Sequence, residues 1–333
     1  MLFKTQDTPP VHPTRLRAAV LGAAGIAVAL TLSACGSSAG ATSSPSASGA
    51  ASGGSTAGAS ANGNISPADP SKAGKAAELL PQKYKDKGKL VIGLDASTPP
   101  GEYIDKDGKT ILGYQADLIK GIGQKLGITL ELENAGFDTI IPGLASGRID
   151  VGQAGMYAKK ERLEKADFVS YAKIGSTLFT SNKSSKSYDG LDSLCGAGVA
   201  VQLGTTLQTM LEDQSKKCTA DGKPAVKVLT FGNGSEETLA VGSGRADVGF
   251  DSQETINYLI KQTNGQFKLT GSTIAANIPS SIAVPKGSGL DKAIQKALEE
   301  MMADGSYAKI FDDWGVSPIM IKQPAINDTG SAS

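Results

Sequence analysis

Apolar and polar positions along this chain follow two periods that take turns. Residues 89–94 (KLVIGL) are a short apolar run of strand length. Residues 113–126 then bring apolar positions back at helical spacing, which predicts an amphipathic helix. Residues 128–133 (ITLELE) alternate apolar with polar and predict a half-buried strand. A helix over 137–145 and a strand over 149–153 follow. The same order then returns as strand 198–202, helix 206–216, strand 226–231, helix 235–241 and strand 247–250. A strand over 281–285 and helices over 290–303 and 306–314 come last, and with no counterpart in the earlier order they are expected to return onto the first half. Alternation of this kind predicts parallel sheets with helices on both faces, an α/β fold.

An internal echo divides the pattern in two. Residues 144–152 read LASGRIDVG and residues 241–249 read VGSGRADVG. In each, a helix ends at a glycine able to take the left-handed cap, and a short strand follows. Two similar α/β lobes are the inference, with chance repetition of a short motif as the alternative.

The first seventy residues do not join this pattern. Lys4, Arg15 and Arg17 precede an uncharged apolar run over 18–32, shorter than the roughly 20 residues of a membrane-spanning helix and of the length of a signal peptide's core. The run ends Leu32-Ser33-Ala34-Cys35-Gly36, which looks like a bacterial lipobox: residues 1–34 as signal peptide, cleavage before Cys35 and lipidation of its sulfur. An ordinary secretory signal with a chance cysteine is the alternative. No charge occurs between Arg17 and Asp69, and Ser, Ala, Gly and Thr dominate. Residues 35–74 are therefore expected to be a disordered linker holding the folded part about 30 Å from a membrane.

Composition narrows the function. Thirty-three basic residues balance thirty-three acidic ones, with no basic block, so nothing points to nucleic acid. The single histidine, His12, falls in the segment expected to be removed, which argues against histidine-based catalysis or zinc binding. No metal or cofactor motif is present. Of three cysteines, Cys35 is the lipidation candidate. Cys195 and Cys218 most simply pair in an oxidising compartment, two buried thiols being the alternative.

From about residue 90 to 314 the chain resembles the polar-amino-acid family of periplasmic solute-binding proteins that serve ATP-driven importers. The likeness is carried by Asp95 and Pro100 after the first strand, by GYQADL over 113–118, and by FDTIIPGL over 137–144 with GRID over 147–150. Further along come Arg162 six residues before Phe168, Gly204-Thr205-Thr206, Arg245-Ala246-Asp247, AVPK over 283–286 and Asp304-Gly305-Ser306. The resemblance implies the two-lobed periplasmic-binding fold of the second type, each lobe a parallel-rich sheet flanked by helices. Two hinge strands near 173–181 and 271–281 would join the lobes. Lobe one would comprise 75–176 and 277–326, lobe two 177–276, and 327–333 a disordered tail. The implied partners are a small amino-acid-like ligand between the lobes, an ABC permease, and the outer face of the cell membrane through the lipid anchor. The protein is expected to act as a monomer.

A free amino acid carries a carboxylate and an ammonium, so its site needs a fixed cation and a fixed anion. By family position Arg162 is the cation, its planar fork matching a carboxylate; locally it could instead pair with Glu161 or Glu164. Thr205 and Thr206 open a helix, where free N–H groups favour an anion, and Thr206 matches the family's carboxylate-binding threonine. Asp251 is the candidate for the ammonium. It also begins Asp251-Ser-Gln-Glu254, a capping box, and it lies four residues after Asp247 where relatives usually have five. Phe137 matches an aromatic that packs on the ligand. The first loop, Asp95-Ala-Ser-Thr98-Pro-Pro-Gly101, supplies Asp95 and Thr98 but has Thr98 and Gly101 in place of the family's aromatics. Tyr157 and Lys159 replace two hydroxyl-bearing positions, and Lys159 could add a second cation or be solvated. A dehydratase-like enzyme using Asp95, Glu102 or Asp251, or an extracytoplasmic sensor, are the competing readings.

Overall fold

The structure, a computed structural model, describes residues 64–330. Cys35, the signal-peptide candidate and residues 35–63 of the expected linker lie outside the described residues. In chain order the elements begin with β1 (Ile65–Ser66), α1 (Ala76–Leu79), α2 (Gln82–Lys87), β2 (Lys89–Leu94), β3 (Ser97–Thr98), β4 (Glu102–Ile104), β5 (Ile111–Leu112), α3 (Tyr114–Leu126) and β6 (Thr129–Asn134). Next come α4 (Phe137–Ser146), β7 (Val151–Tyr157), α5 (Lys160–Leu163), β8 (Ala166–Ser181), β9 (Gly198–Gln202), α6 (Thr206–Ala220) and β10 (Lys227–Phe231). The last are α7 (Gly234–Gly242), β11 (Val248–Ser252), α8 (Gln253–Gln262), β12 (Phe267–Pro285), α9 (Leu290–Ala303) and α10 (Ser306–Asp313).

β2 pairs in parallel with β6 and β7, and β9 pairs in parallel with β10 and β11. Strands of this kind are covered on both faces and read as continuous apolar runs, which is why residues 89–94 show no alternation. The two parallel groups are joined by β8 and β12, long strands that pair with each other antiparallel. At one end β12 meets β7, and at the other β8 meets β11. The order across the whole sheet is β1-β6-β2-β7-β12-β8-β11-β9-β10. Both expected crossings fall inside β8 and β12, where the register slips between Thr270 and Ile274 and again before Ile278. The result is a two-lobed α/β fold.

The echoed motif has the same structural job twice. Gly147 and Gly244 both take positive φ, 75° and 78°, just past α4 and α7. The aspartates that follow each fasten a neighbouring parallel strand. Asp150 accepts the N–H of Val91 in β2 at 2.8 Å, and Asp247 accepts that of Gly198 in β9 at 2.8 Å.

Each lobe has its own core. Leu90, Ile92, Leu118, Ile122 and Leu130 pack with Leu290, Ile294, Leu298 and Phe311 of the last two helices, which return onto the first lobe. Val199, Val201, Leu211, Val248 and Phe250 form the core of the second. The disulfide Cys195–Cys218 fastens the segment before β9 to α6 across 23 residues. Closing a loop of that size restricts the unfolded chain by about 3 kcal/mol. Reduction, or paired Cys→Ser substitution, is therefore expected to lower stability by about that much, read by denaturant unfolding, without abolishing ligand binding.

Three expectations on boundaries are corrected. The folded part begins before Lys75: Ile65–Ser66 adds to the edge of β6, and Asn64 Oδ1 accepts the N–H of Ile111. Composition could not show this, because a two-residue edge strand is recruited by the free backbone groups of β6. The tail expected from 327 is likewise held at its start, Asn327 exchanging backbone and side-chain hydrogen bonds with Phe168 and reaching Asp167. The strand expected over 149–153 runs instead over Val151–Tyr157, because β12 pairs along its far end.

Candidate functional site

A cavity of about 80 Å³ lies between the two lobes. Strand ends and helix starts from both sides converge on it: β2 ends at Leu94 just before Asp95, β9 ends at Gln202 just before α6, and β11 runs into α8. Arg162, Thr205, Thr206, Asp251, Phe137, Asp95, Thr98 and Tyr157 all line this cavity. Lys159 does not; its ammonium sits on Thr209 Oγ1 at 3.3 Å.

Arg162 projects from the four-residue helix α5 and is 7 % exposed. Neither Glu161 nor Glu164 pairs with it. Its guanidinium donates to the carbonyl of Tyr157 at 2.9 Å and to that of Gly204, in the other lobe, at 3.0 Å. Its face lies 5.2 Å from the Phe137 ring. No described carboxylate is within ion-pair distance of it. Burial lowers its pKa to about 10, with Tyr157 and Glu161 acting the other way. A buried guanidinium held only by neutral carbonyls is a cation without an anion, and it favours one that enters the cavity.

Thr205 is the N-cap of α6, its hydroxyl accepting from the N–H of Gln208 at 3.1 Å and donating to the carbonyl of Gln202. That leaves Thr206 free of the capping role. Its hydroxyl is buried and has no hydrogen-bond partner, at a helix N-terminus where the backbone dipole favours negative charge.

The carboxylates are the mirror case. Asp95 is 4 % exposed and accepts from Ser97 and from Gln202 of the opposite lobe. Burial raises its pKa and these hydrogen bonds only partly offset the rise. Asp251 accepts the N–H of Ser252 at 2.6 Å, and burial, with the charge of Asp95 behind it, pushes its pKa up to about 6. The capping box expected at Asp251 is not formed. Asp251 belongs to β11, the N-cap is Ser252, and the Ser252 hydroxyl donates to Thr255 Oγ1.

Glu254, freed from that box, turns inward and lines the cavity. Burial, and after it Asp251, raises its pKa to about 8. Sequence reasoning missed Glu254 as a site residue because the capping pattern accounted for it completely. It missed Gln115 and Gln202 because glutamine at a strand or helix end carries no distinctive signal. Tyr157, buried, places its hydroxyl 3.4 Å from Ser176 Oγ, and burial raises its pKa. Gly101, noted as a departure from the family, admits Gln115: a Cβ there would stand 2.8 Å from Gln115 Nε2.

The lobes meet directly around the cavity, through Arg162 with Gly204, Gln202 with Asp95, and the Gly234 N–H with Ser97 Oγ at 3.0 Å. Gly234 is required by this approach, since a Cβ would lie 2.9 Å from Thr98 Cγ2. Gly234→Ala is expected to weaken ligand binding by about tenfold, corresponding to about 1–2 kcal/mol of overpacking, with the unfolding midpoint of the ligand-free protein unchanged. Calorimetric titration beside a thermal scan checks both parts.

Comparisons with known proteins place the chain among binding proteins. A family model for bacterial extracellular solute-binding proteins, family 3, matches residues 90–317. The chain belongs to that family. Among its relatives, the arginine-binding protein ArgT of Corynebacterium glutamicum is 25 % identical over 260 residues, 78 % of this chain and 84 % of that one. The L-cystine-binding protein TcyJ of Escherichia coli is 27 % identical over 241 residues, 72 % and 87 % of the two chains. A solved structure of an ancestral arginine-binding protein bound to arginine has 39 % identity and a TM-score of 0.62, covering 68 % of this chain and 98 % of that one. The relatives are named as binding proteins, not enzymes. Family 3 proteins are extracellular, and among the described residues no helix is long and apolar enough to cross a membrane.

Proposed function

We propose that this solute-binding protein captures an amino acid with a cationic side chain between its lobes, while tethered to the outer face of the cell membrane through Cys35, and delivers it as a monomer to an ABC permease. One observation carries the ligand assignment: around one cavity stand a guanidinium with no anion and three carboxylates, Asp95, Asp251 and Glu254, with no cation. Arg162 and Thr206 take the ligand carboxylate, Asp251 the ammonium, and Phe137, Thr98 and Tyr157 wall the side chain. With Asp251 facing the ammonium, Asp95 and Glu254 remain beside the ligand's side chain, and a cationic side chain would gain an ion pair with one of them that a neutral one cannot make. The arginine-binding relatives support this reading.

Isothermal titration of the whole chain against the amino acids and related small acids and amines tests it. An arginine-like or lysine-like ligand is expected to bind, and at 100 times its dissociation constant to stabilise the fold by about 2.7 kcal/mol. Absence of binding by any amino acid would sink the proposal. For the anchor, Cys35→Ala is expected to move the protein from the membrane fraction into the medium, followed by fractionation and immunoblot; continued membrane association would argue for another tether.

A further inference from the structure

Behind the interlobe cavity lies a second one of about 370 Å³, bounded by Pro100, by Trp314–Ile319 of the first lobe and by α8 of the second. Glu254 lines both cavities, whereas Arg162, Thr206 and Asp251 line only the first. Its Oε2 is buried and has no hydrogen-bond partner. The groups acting on it are negative or neutral: its own backbone N–H, Asp251 from β11, the Ser252 side chain, and the hydroxyls of Tyr157 from β7, Tyr114 from α3 and Tyr171 from β8. The cation on α8, Lys261, lines the second cavity and is exposed. Tyr258 and Trp314 contribute aromatic rings to that cavity, surfaces on which a delocalised cation is attracted. Hydrogen bonds from its own backbone N–H and from the Ser252 side chain engage the carboxyl at the start of α8, but among the described residues no ion pair occupies it and Oε2 is left without a partner.

We propose that Glu254 is the residue that sets ligand class in this protein, its carboxylate receiving the cationic end of the ligand's side chain where the interlobe cavity opens onto the one behind it. This rests on the reading of the interlobe cavity as an amino-acid site. Arg162, Thr206 and Asp251 hold the groups that all amino acids share; Glu254 holds the group that only some possess. Burial raises the pKa of this carboxyl to about 8, so near neutral pH a cationic side chain would displace a proton from it on entry.

The test is titration of L-arginine and L-glutamine into the whole chain and into Glu254→Gln, in mildly alkaline buffer. Removing one partner of a buried charge pair is expected to weaken arginine by about tenfold or more, while glutamine changes by less than about threefold. Equal losses for both ligands, or no loss for arginine, would overturn the assignment. Binding of neutral but not cationic amino acids by the unaltered protein overturns it while leaving the amino-acid site standing; binding of none overturns both. Should Glu254→Gln fail to fold, proton release by the unaltered protein decides instead, measured near neutral pH in two buffers of different ionisation enthalpy. Arginine is expected to release more protons than glutamine, and equal release refutes the role.

Discussion

Arg162→Ala is expected to abolish capture of the ligand while the protein stays folded. The guanidinium is buried, meets no carboxylate, and is held by the carbonyls of Tyr157 and Gly204. A ligand carboxylate entering the cavity would make its strongest contact there. Removing one partner of a buried, hydrogen-bonded charge pair costs about 2–5 kcal/mol, or about 30-fold to about 4,000-fold in affinity. Stability should change little, because the fold loses a desolvated charge along with two hydrogen bonds to carbonyls that then face a cavity. Arg162→Lys retains the charge without the planar fork, so an intermediate loss is expected. Calorimetric titration with thermal unfolding of each variant checks these outcomes. Unchanged affinity in Arg162→Ala would mean that the carboxylate is held elsewhere.

Ligand affinity and ligand-free stability are expected to run in opposite directions between pH 5 and pH 8. Asp251 and Glu254 have folded-state pKa values raised to about 6 and about 8 by burial. With values above those of the unfolded chain, the folded protein binds more protons than the unfolded one across this interval. Stability is therefore greatest below the unfolded carboxylate range and declines as pH rises through the folded values, by a few kcal/mol in all. Groups shifted the other way do not mask the trend. Asp304 is held at about 2, burial being outweighed by Lys125 and Ser306, so its contribution is complete by pH 5. A cationic ligand needs those same carboxyls ionised, so its affinity should rise as stability of the empty protein falls. Unfolding midpoints and binding constants measured at each pH give both curves. A ligand-free protein that gains stability from pH 5 to pH 8 would show that these carboxyls are not buried in the folded state.

The physical reason the two curves oppose each other is the arrangement of the cleft. Asp95, Asp251 and Glu254 come from the end of β2, from β11 and from α8; they line one cavity, and none of them is ion-paired among the described residues. Such a cluster is held at a cost in the empty protein, and the cost falls when a positive group enters.

Residues that repeat with a clear period were legible from the chain alone. The apolar runs of β2 and β9, the amphipathic α3 and the echoed Ser-Gly-Arg motif follow from short-range rules, because burial on both faces of a parallel sheet and a left-handed glycine cap leave marks within a few residues. Arg162, Thr206 and Asp95 were legible only through the resemblance to the family, and each lines the cavity. Glu254 was hidden by a capping pattern that the backbone at Ser252 does not adopt. Ile65–Ser66 and Asn327 were hidden because their partners, β6 and β8, lie far away in sequence.

By itself, then, the sequence determined the alternation of strand and helix and the doubling of the lobe, which depend on local spacing, while Arg162 was pointed to as a candidate cation only through the family resemblance. The tertiary structure alone decided which charges share the cleft. A carboxylate's role is set by what lies across the cavity from it, and the segments that carry Asp95, Arg162 and Asp251–Glu254 lie far apart in sequence and meet there only once β8 and β12 have joined the lobes.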